Sequence, residues 1–192
     1  MRYSGKISNG IVTLFAGLFF SVVLQFAPNM AAAQTPNLDE LFTELKNPDL
    51  EDWKAVEKKI WRAWKKSGSA AMDLLLQRGH EALSEGRIND AIGHFSVLID
   101  HAPQFAEGWN ARATAFFVAD RYGLSIADIQ QTLALNPRHF GAMAGLGNIL
   151  ERMERPKRAL KAYKLALEIH PHRPDVRKAV ERLTKKVEGT SL

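Results

Sequence analysis

Three strings of sequence decide the fold. Ala91–Pro103 reads AIGHFSVLIDHAP, Ser125–Pro137 reads SIADIQQTLALNP and Ala159–Pro171 reads ALKAYKLALEIHP. Their closing prolines recur every 34 residues without insertion or deletion. Self-similarity at a fixed period of this length marks stacked supersecondary units. Working outward from the prolines delimits three units, 72–105, 106–139 and 140–173. Small residues recur at position 8 (Gly79, Ala113, Gly147) and position 20 (Ala91, Ser125, Ala159). Bulky ones recur at position 4 (Leu75, Trp109, Met143) and position 24 (Phe95, Ile129, Tyr163). Small residues on two helices let their axes approach closely, and the bulky ones fill the flanks. Proline lacks an N–H and disfavours helix in the residue before it, so each second helix ends there. One such helix pair cannot bury both of its apolar sides, and stacking supplies the core.

This pattern resembles the tetratricopeptide repeat (TPR), a helix–turn–helix unit of 34 residues. The resemblance covers 72–173 without a gap. It departs from the family at position 27, where Leu98 and Thr132 replace the usual alanine. It implies an all-α, right-handed superhelix of three helix pairs. Gly86 and Gly123 fall at or near the first two intra-pair turns, and Glu154-Arg155-Pro156 breaks the third pair.

The flanks extend this reading. From Pro174 onward, Val176, Val180, Leu183 and Val187 form one helical stripe among Arg, Lys and Glu, as a C-terminal capping helix over 174–192 requires. Residues 34–71 read as a linker and an N-terminal capping hairpin, with helices over Leu38–Lys46 and Glu51–Lys66. The second carries Trp53, Val56, Ile60 and Trp64 on one face, expected to pack on the first repeat. Trp61 lies off the centre of that stripe. Lys54, Lys58, Lys59, Arg62, Lys65 and Lys66 form either a solvated face or a patch for an anionic surface.

Residues 1–33 contain Arg2 and Lys6, the apolar run Ile11–Ala27 and the small residues Ala31 and Ala33. That order is a signal peptide, with cleavage expected between Ala33 and Gln34. The alternative is an uncleaved anchor tethering a membrane-bound assembly factor. The whole chain of 192 residues has a formal charge of +5. Without Arg2 and Lys6 it carries 24 basic against 21 acidic residues. So small an excess gives no support for nucleic-acid binding. The absence of cysteine excludes disulfides, thiolate metal sites and a cysteine nucleophile.

Other chemistry is equally sparse. His80, His94, His101, His139, His170 and His172 form no metal-binding motif, and the rings of His170 and His172 are expected to diverge around Pro171. Gly145-Leu146-Gly147 lacks the strand that a phosphate loop needs. Neither catalysis, a metal nor a cofactor is expected. Arg112 reads as the partner of Asp128 in the adjacent helix, or as an arginine kept for a ligand.

The resemblance implies a concave face lined by the first helix of each pair. It implies peptide-binding residues at His80, Asn110, Thr114, Phe117, Asn148 and Arg152. Asparagine offers both a donor and an acceptor to an extended backbone. The Lys and Arg with which some family members clamp a terminal carboxylate are missing, since Leu76, His80, Asn110, Thr114, Ala144 and Asn148 occupy those positions. Leu76, Leu83, Phe117 and Val118 suggest an apolar strip, either open or covered by neighbouring elements. The resulting expectation is a non-catalytic scaffold of the bacterial cell envelope that binds a protein or peptide in its groove.

Overall fold

The structure, a computed structural model, describes residues 37–189. The expected signal segment and cleavage site lie outside them. The described residues form nine helices: α1 Leu38–Leu45, α2 Trp53–Trp64, α3 Ala70–Ser84, α4 Ile88–His101, α5 Ala106–Val118, α6 Tyr122–Leu135, α7 Phe140–Arg152, α8 Pro156–Ile169 and α9 Pro174–Gly189. Consecutive helices pair as α3/α4, α5/α6 and α7/α8, and the pairs stack into the expected all-α superhelix.

Close contact within each pair rests on the small residues. A Cβ on Gly79 would lie 2.2 Å from the Phe95 ring, and one on Gly147 would lie 2.5 Å from the Tyr163 ring. Ala91, Ser125 and Ala159 are fully buried opposite them. Ser125 donates its hydroxyl to the Ala113 carbonyl at 2.6 Å, so its polar group is satisfied inside the pair. Thr132 donates to the Asp128 carbonyl at 2.9 Å, which explains a hydroxyl where the family has alanine.

The three intra-pair turns share one geometry. Gly86, Asp120 and Glu154 have φ of 76°, 56° and 57°. The next residue then donates its backbone N–H five places back, Arg87 to Ala82, Arg121 to Phe116 and Arg155 to Leu150, each at 2.8 Å. This left-handed cap closes a helix by satisfying its last carbonyls. In the second pair Asp120 therefore makes the turn that glycine makes in the first, and Gly123 lies inside α6. Pro156 begins α8, where its missing N–H leaves no bond unmade. At the other end of the stack Val176 and Leu183 of α9 are buried on the third pair.

The N-terminal hairpin departs from expectation. Its apolar stripe packs on the third repeat rather than on the first. Leu41, Phe42, Leu45, Val56, Ile60 and Trp64 form one cluster with Phe140 of α7. Trp64 stacks on His139 with ring centroids 4.3 Å apart, and Trp53 meets His170 edge-on at 5.4 Å. Arg138 pairs with Asp39 at 2.6 Å and lies 4.3 Å over the Phe42 ring. His172 donates Nε2–H to the Asn47 carbonyl at 2.9 Å. Leu76 of the first repeat is already buried against α4 and α5. The third repeat instead offers a seam of Phe140 and imidazole rings. The rings of His170 and His172 do not diverge, since their centroids lie 6.1 Å apart around Trp53.

Trp61, off the stripe, reaches the start of α7. A Cβ on Gly141 would lie 2.6 Å from its ring, so glycine there makes room for the indole. The chain reverses between α2 and α3 through Ser67, whose N–H and hydroxyl both donate to Asp73 Oδ1 at 2.8 and 2.7 Å. These donors hold the Asp73 carboxyl below the usual carboxylate range.

Gly147→Ala is expected to cost about 1–3 kcal/mol through overpacking against Tyr163. Gly93→Ala, in open space on α4, is expected to gain about 0.5–1 kcal/mol. Glu154→Gly relieves a left-handed φ and is expected to gain about 1 kcal/mol. Urea unfolding of the three variants checks these signs. Trp64→Ala is expected to cost about 3–5 kcal/mol, felt as hairpin release. Limited proteolysis should then cut within 37–69 first and leave the repeats intact. Unchanged cleavage would show that the seam does not hold the hairpin.

Candidate functional site

The first helices of the second and third pairs, α5 and α7, line a groove of about 360 Å³. Its floor is Ala113, Ser125, Ile129, Ala142, Ala144 and Ile149. Such small and apolar residues are there because they also form the contacts between pairs. The walls carry Asn110, Thr114, Phe117 and Asn148, and Trp61 of α2 and Arg173 border the cavity.

Four of the six residues expected from sequence thus meet in one cavity: Asn110, Thr114, Phe117 and Asn148. His80 and Arg152 stand outside it, one toward each end. His80 lines an adjoining cleft with Glu107, Asn110, Trp61, Lys54, Lys58 and Lys65. It packs edge-on against Phe95 at 5.4 Å, and burial lowers its pKa from the ordinary imidazole value. Arg152 borders a hollow with Phe117, Asn148 and Glu151. Asn110 is common to the His80 cleft and the groove, and Asn148 to the groove and the Arg152 hollow.

The two asparagines are oriented by their neighbours. Asn110 donates its amide to Glu107 Oε2 at 3.3 Å, which leaves its carbonyl oxygen as a free acceptor. Glu107 is itself buried and accepts from His139 Nε2 at 3.0 Å. His139 Nδ1 accepts the Ala142 N–H at 3.0 Å and caps α7, so the proton sits on Nε2 and points to the carboxylate. Asn148 Oδ1 accepts from the Tyr163 hydroxyl at 2.6 Å, which leaves its amide donors free. That hydroxyl also lies 3.0 Å from Glu151 Oε2, and burial raises its pKa. Thr114 donates to the backbone carbonyl of Asn110 at 3.0 Å, keeping its oxygen available as an acceptor. The groove therefore presents acceptors at Asn110 and Thr114 and donors at Asn148, the complement of a peptide unit.

Other expectations need correction or resolution. Leu76 does not contribute to an open apolar strip, because it is 3% exposed in the first pair's core. Leu83 is half-buried, while Phe117 faces the groove and Val118 remains exposed. Arg112 makes two bonds to Asp128, at 2.7 and 2.9 Å, and its guanidinium lies against Trp109 and Phe116. That arginine is committed to its internal partner. Among the described residues no three His, Asp or Glu side chains converge as metal ligands.

Trp61 and Arg173 were missed as groove residues, as were Lys54, Lys58 and Lys65 beside His80. One signal was present. Lys54, Lys58, Trp61 and Lys65 are spaced i, i+4, i+7 and i+11, a second stripe on α2 beside its apolar one. What the sequence lacked was the direction in which the hairpin folds.

Comparison with known proteins places this architecture in context. The tetratricopeptide repeat pattern matches residues 76–129 and 111–174. A TPR repeat-containing protein of Rhizobium etli is 35% identical over 162 residues, covering 84% of this chain and 79% of its own. Among solved structures, the Sgt2 TPR domain of Aspergillus fumigatus superposes with a TM-score of 0.60 at 20% identity, covering 64% of this chain and 83% of that one. The first TPR of Spaghetti, bound to the HSP90 peptide SRMEEVD, gives 0.59 at 20% identity over 61% and 93%. The Yersinia enterocolitica secretion chaperone SycD, in complex with a peptide of the translocator YopD, gives 0.58 at 15% identity over 62% and 95%. With three unbroken repeats, their shared turn geometry and a relative this similar along most of its length, the chain belongs to the tetratricopeptide repeat family.

Proposed function

We propose that this protein is a non-catalytic scaffold of the bacterial cell envelope that binds a protein segment in its concave groove. The observation that carries the reading is the pairing of Asn110 and Asn148 across one cavity, one with its carbonyl free and the other with its amide free. An extended backbone needs both partners at intervals along its length. Spaghetti and SycD were each solved with a peptide, which supports peptide recognition for this fold. The envelope location rests on the sequence of residues 1–33, whose basic start, apolar run and small residues before Gln34 form an export signal.

Two measurements test these separate parts. The mass of the chain recovered from an envelope fraction should correspond to a product beginning at Gln34. A product retaining the apolar run in the membrane would favour the tethered assembly factor instead. Affinity capture from an envelope extract should retain a partner on the wild-type chain and lose it on the folded double variant Asn110→Ala, Asn148→Ala. Equal capture by both would move the binding surface away from the groove.

A further inference from the structure

The basic stripe of α2 walls the cleft that adjoins the groove. Lys54, Lys58 and Lys65 border the cleft opposite His80, Glu107 and Asn110, and Trp61 lies between this cleft and the central cavity. All three lysines are exposed. Among the described residues none is ion-paired with a carboxylate, and Lys54 Nζ lies 5.6 Å from the Trp53 ring centroid.

The carboxylates along the trough are already engaged. Glu107 accepts from His139 and Asn110 and is 3% exposed. Glu57 accepts from the Trp61 indole at 3.4 Å and lies 3.5 Å from His170 Nε2, which holds its carboxyl below the ordinary value. At the far end Glu151 takes both bonds of Arg182, and Asp175 takes both bonds of Arg173. The cleft therefore carries three lysines without a carboxylate partner, beside two carboxylates that already accept hydrogen bonds.

We infer that the groove's occupant is an extended acidic peptide, whose Asp or Glu side chains meet Lys54, Lys58 and Lys65 while its backbone meets Asn110 and Asn148. The inference rests on the peptide-binding reading and adds the chemistry of the ligand. Spacing sharpens it. Lys54 to Lys65 spans roughly 16 Å of helix at a rise of 1.5 Å per residue. An extended chain covers that distance in about five residues, and alternate side chains share one face. Acidic residues should thus recur at alternate positions within a window of about five. A bilayer is the less suited partner. The lysine cleft shares Asn110 with the central groove, which a flat surface does not enter.

The test is selection of a random dodecapeptide display library on the full chain at low salt, with three folded baits. Against wild type, recovered peptides should be enriched in alternating Asp and Glu. Their affinity should fall about tenfold on Lys58→Glu, Lys65→Glu, and should also fall on Asn110→Ala, Asn148→Ala. Peptides that need the asparagines but are not acidic, or that bind the lysine variant equally well, overturn the acidic-ligand inference and leave the groove reading standing. Recovery of no peptide, or of peptides indifferent to the asparagines, defeats both. Binding to phosphatidylglycerol vesicles that the lysine variant loses, with no acidic preference among peptides, would assign the lysines to a membrane and overturn the inference.

Discussion

The structure depends on how closely two helices of a pair approach each other. Gly79 and Gly147 lie against the Phe95 and Tyr163 rings at distances no Cβ would tolerate, and Ala113 does the same work with the Ser125 hydroxyl. That contact sets the angle of each pair, and the angle sets the superhelix. The groove follows from it, because the residues that close one pair on the next are the small ones that form its floor. Each turn must also arrive at the same left-handed residue, whether that residue is Gly86, Asp120 or Glu154. Two of the three accept a strained backbone to keep the register.

A second constraint acts on the N-terminal hairpin. A helix with two tryptophans in one stripe must bury them, and the seam of His139, which ends the second repeat, with Phe140 and His170 of the third accepts them. Aromatic and imidazole rings there meet edge-on, stacked or tilted, and the first two arrangements add to simple burial. Docking in this direction carries α2 past the entrance of the groove, so that a helix with no part in the repeat pattern supplies Trp61 to it and three lysines to the adjoining cleft. A contact made for stability thereby shapes the chemistry of the site.

The fold was legible because it repeats. Proline spacing, small residues at positions 8 and 20 and the Pro174 restart each have a local physical meaning, and three copies of a pattern correct one another. The site was legible only in part. Asn110, Thr114, Phe117 and Asn148 lie on repeat helices, so their facing could be read from register. His80 and Arg152 share that register but fall beyond the cavity, because α2 walls one end and the trough widens at the other. The direction of the hairpin depends on which exposed apolar surface it finds, a tertiary matter that no periodicity encodes. The buried pair of Glu107 and His139 was invisible for the same reason: 32 residues separate its members, and only stacking joins them.

The most direct measurement is an NMR titration of the isotope-labelled chain with a peptide it selects, reading the side-chain amide and indole protons. Trp61 borders the groove, whereas the Trp109 indole is bonded to the Pro103 carbonyl at 2.9 Å and does not line the cavity. A groove walled jointly by α2, α5 and α7 requires the Trp61 indole and the Asn110 and Asn148 amides to shift together, with Trp109 still. Movement of Trp109 while Trp61 and both asparagines stay in place would contradict it.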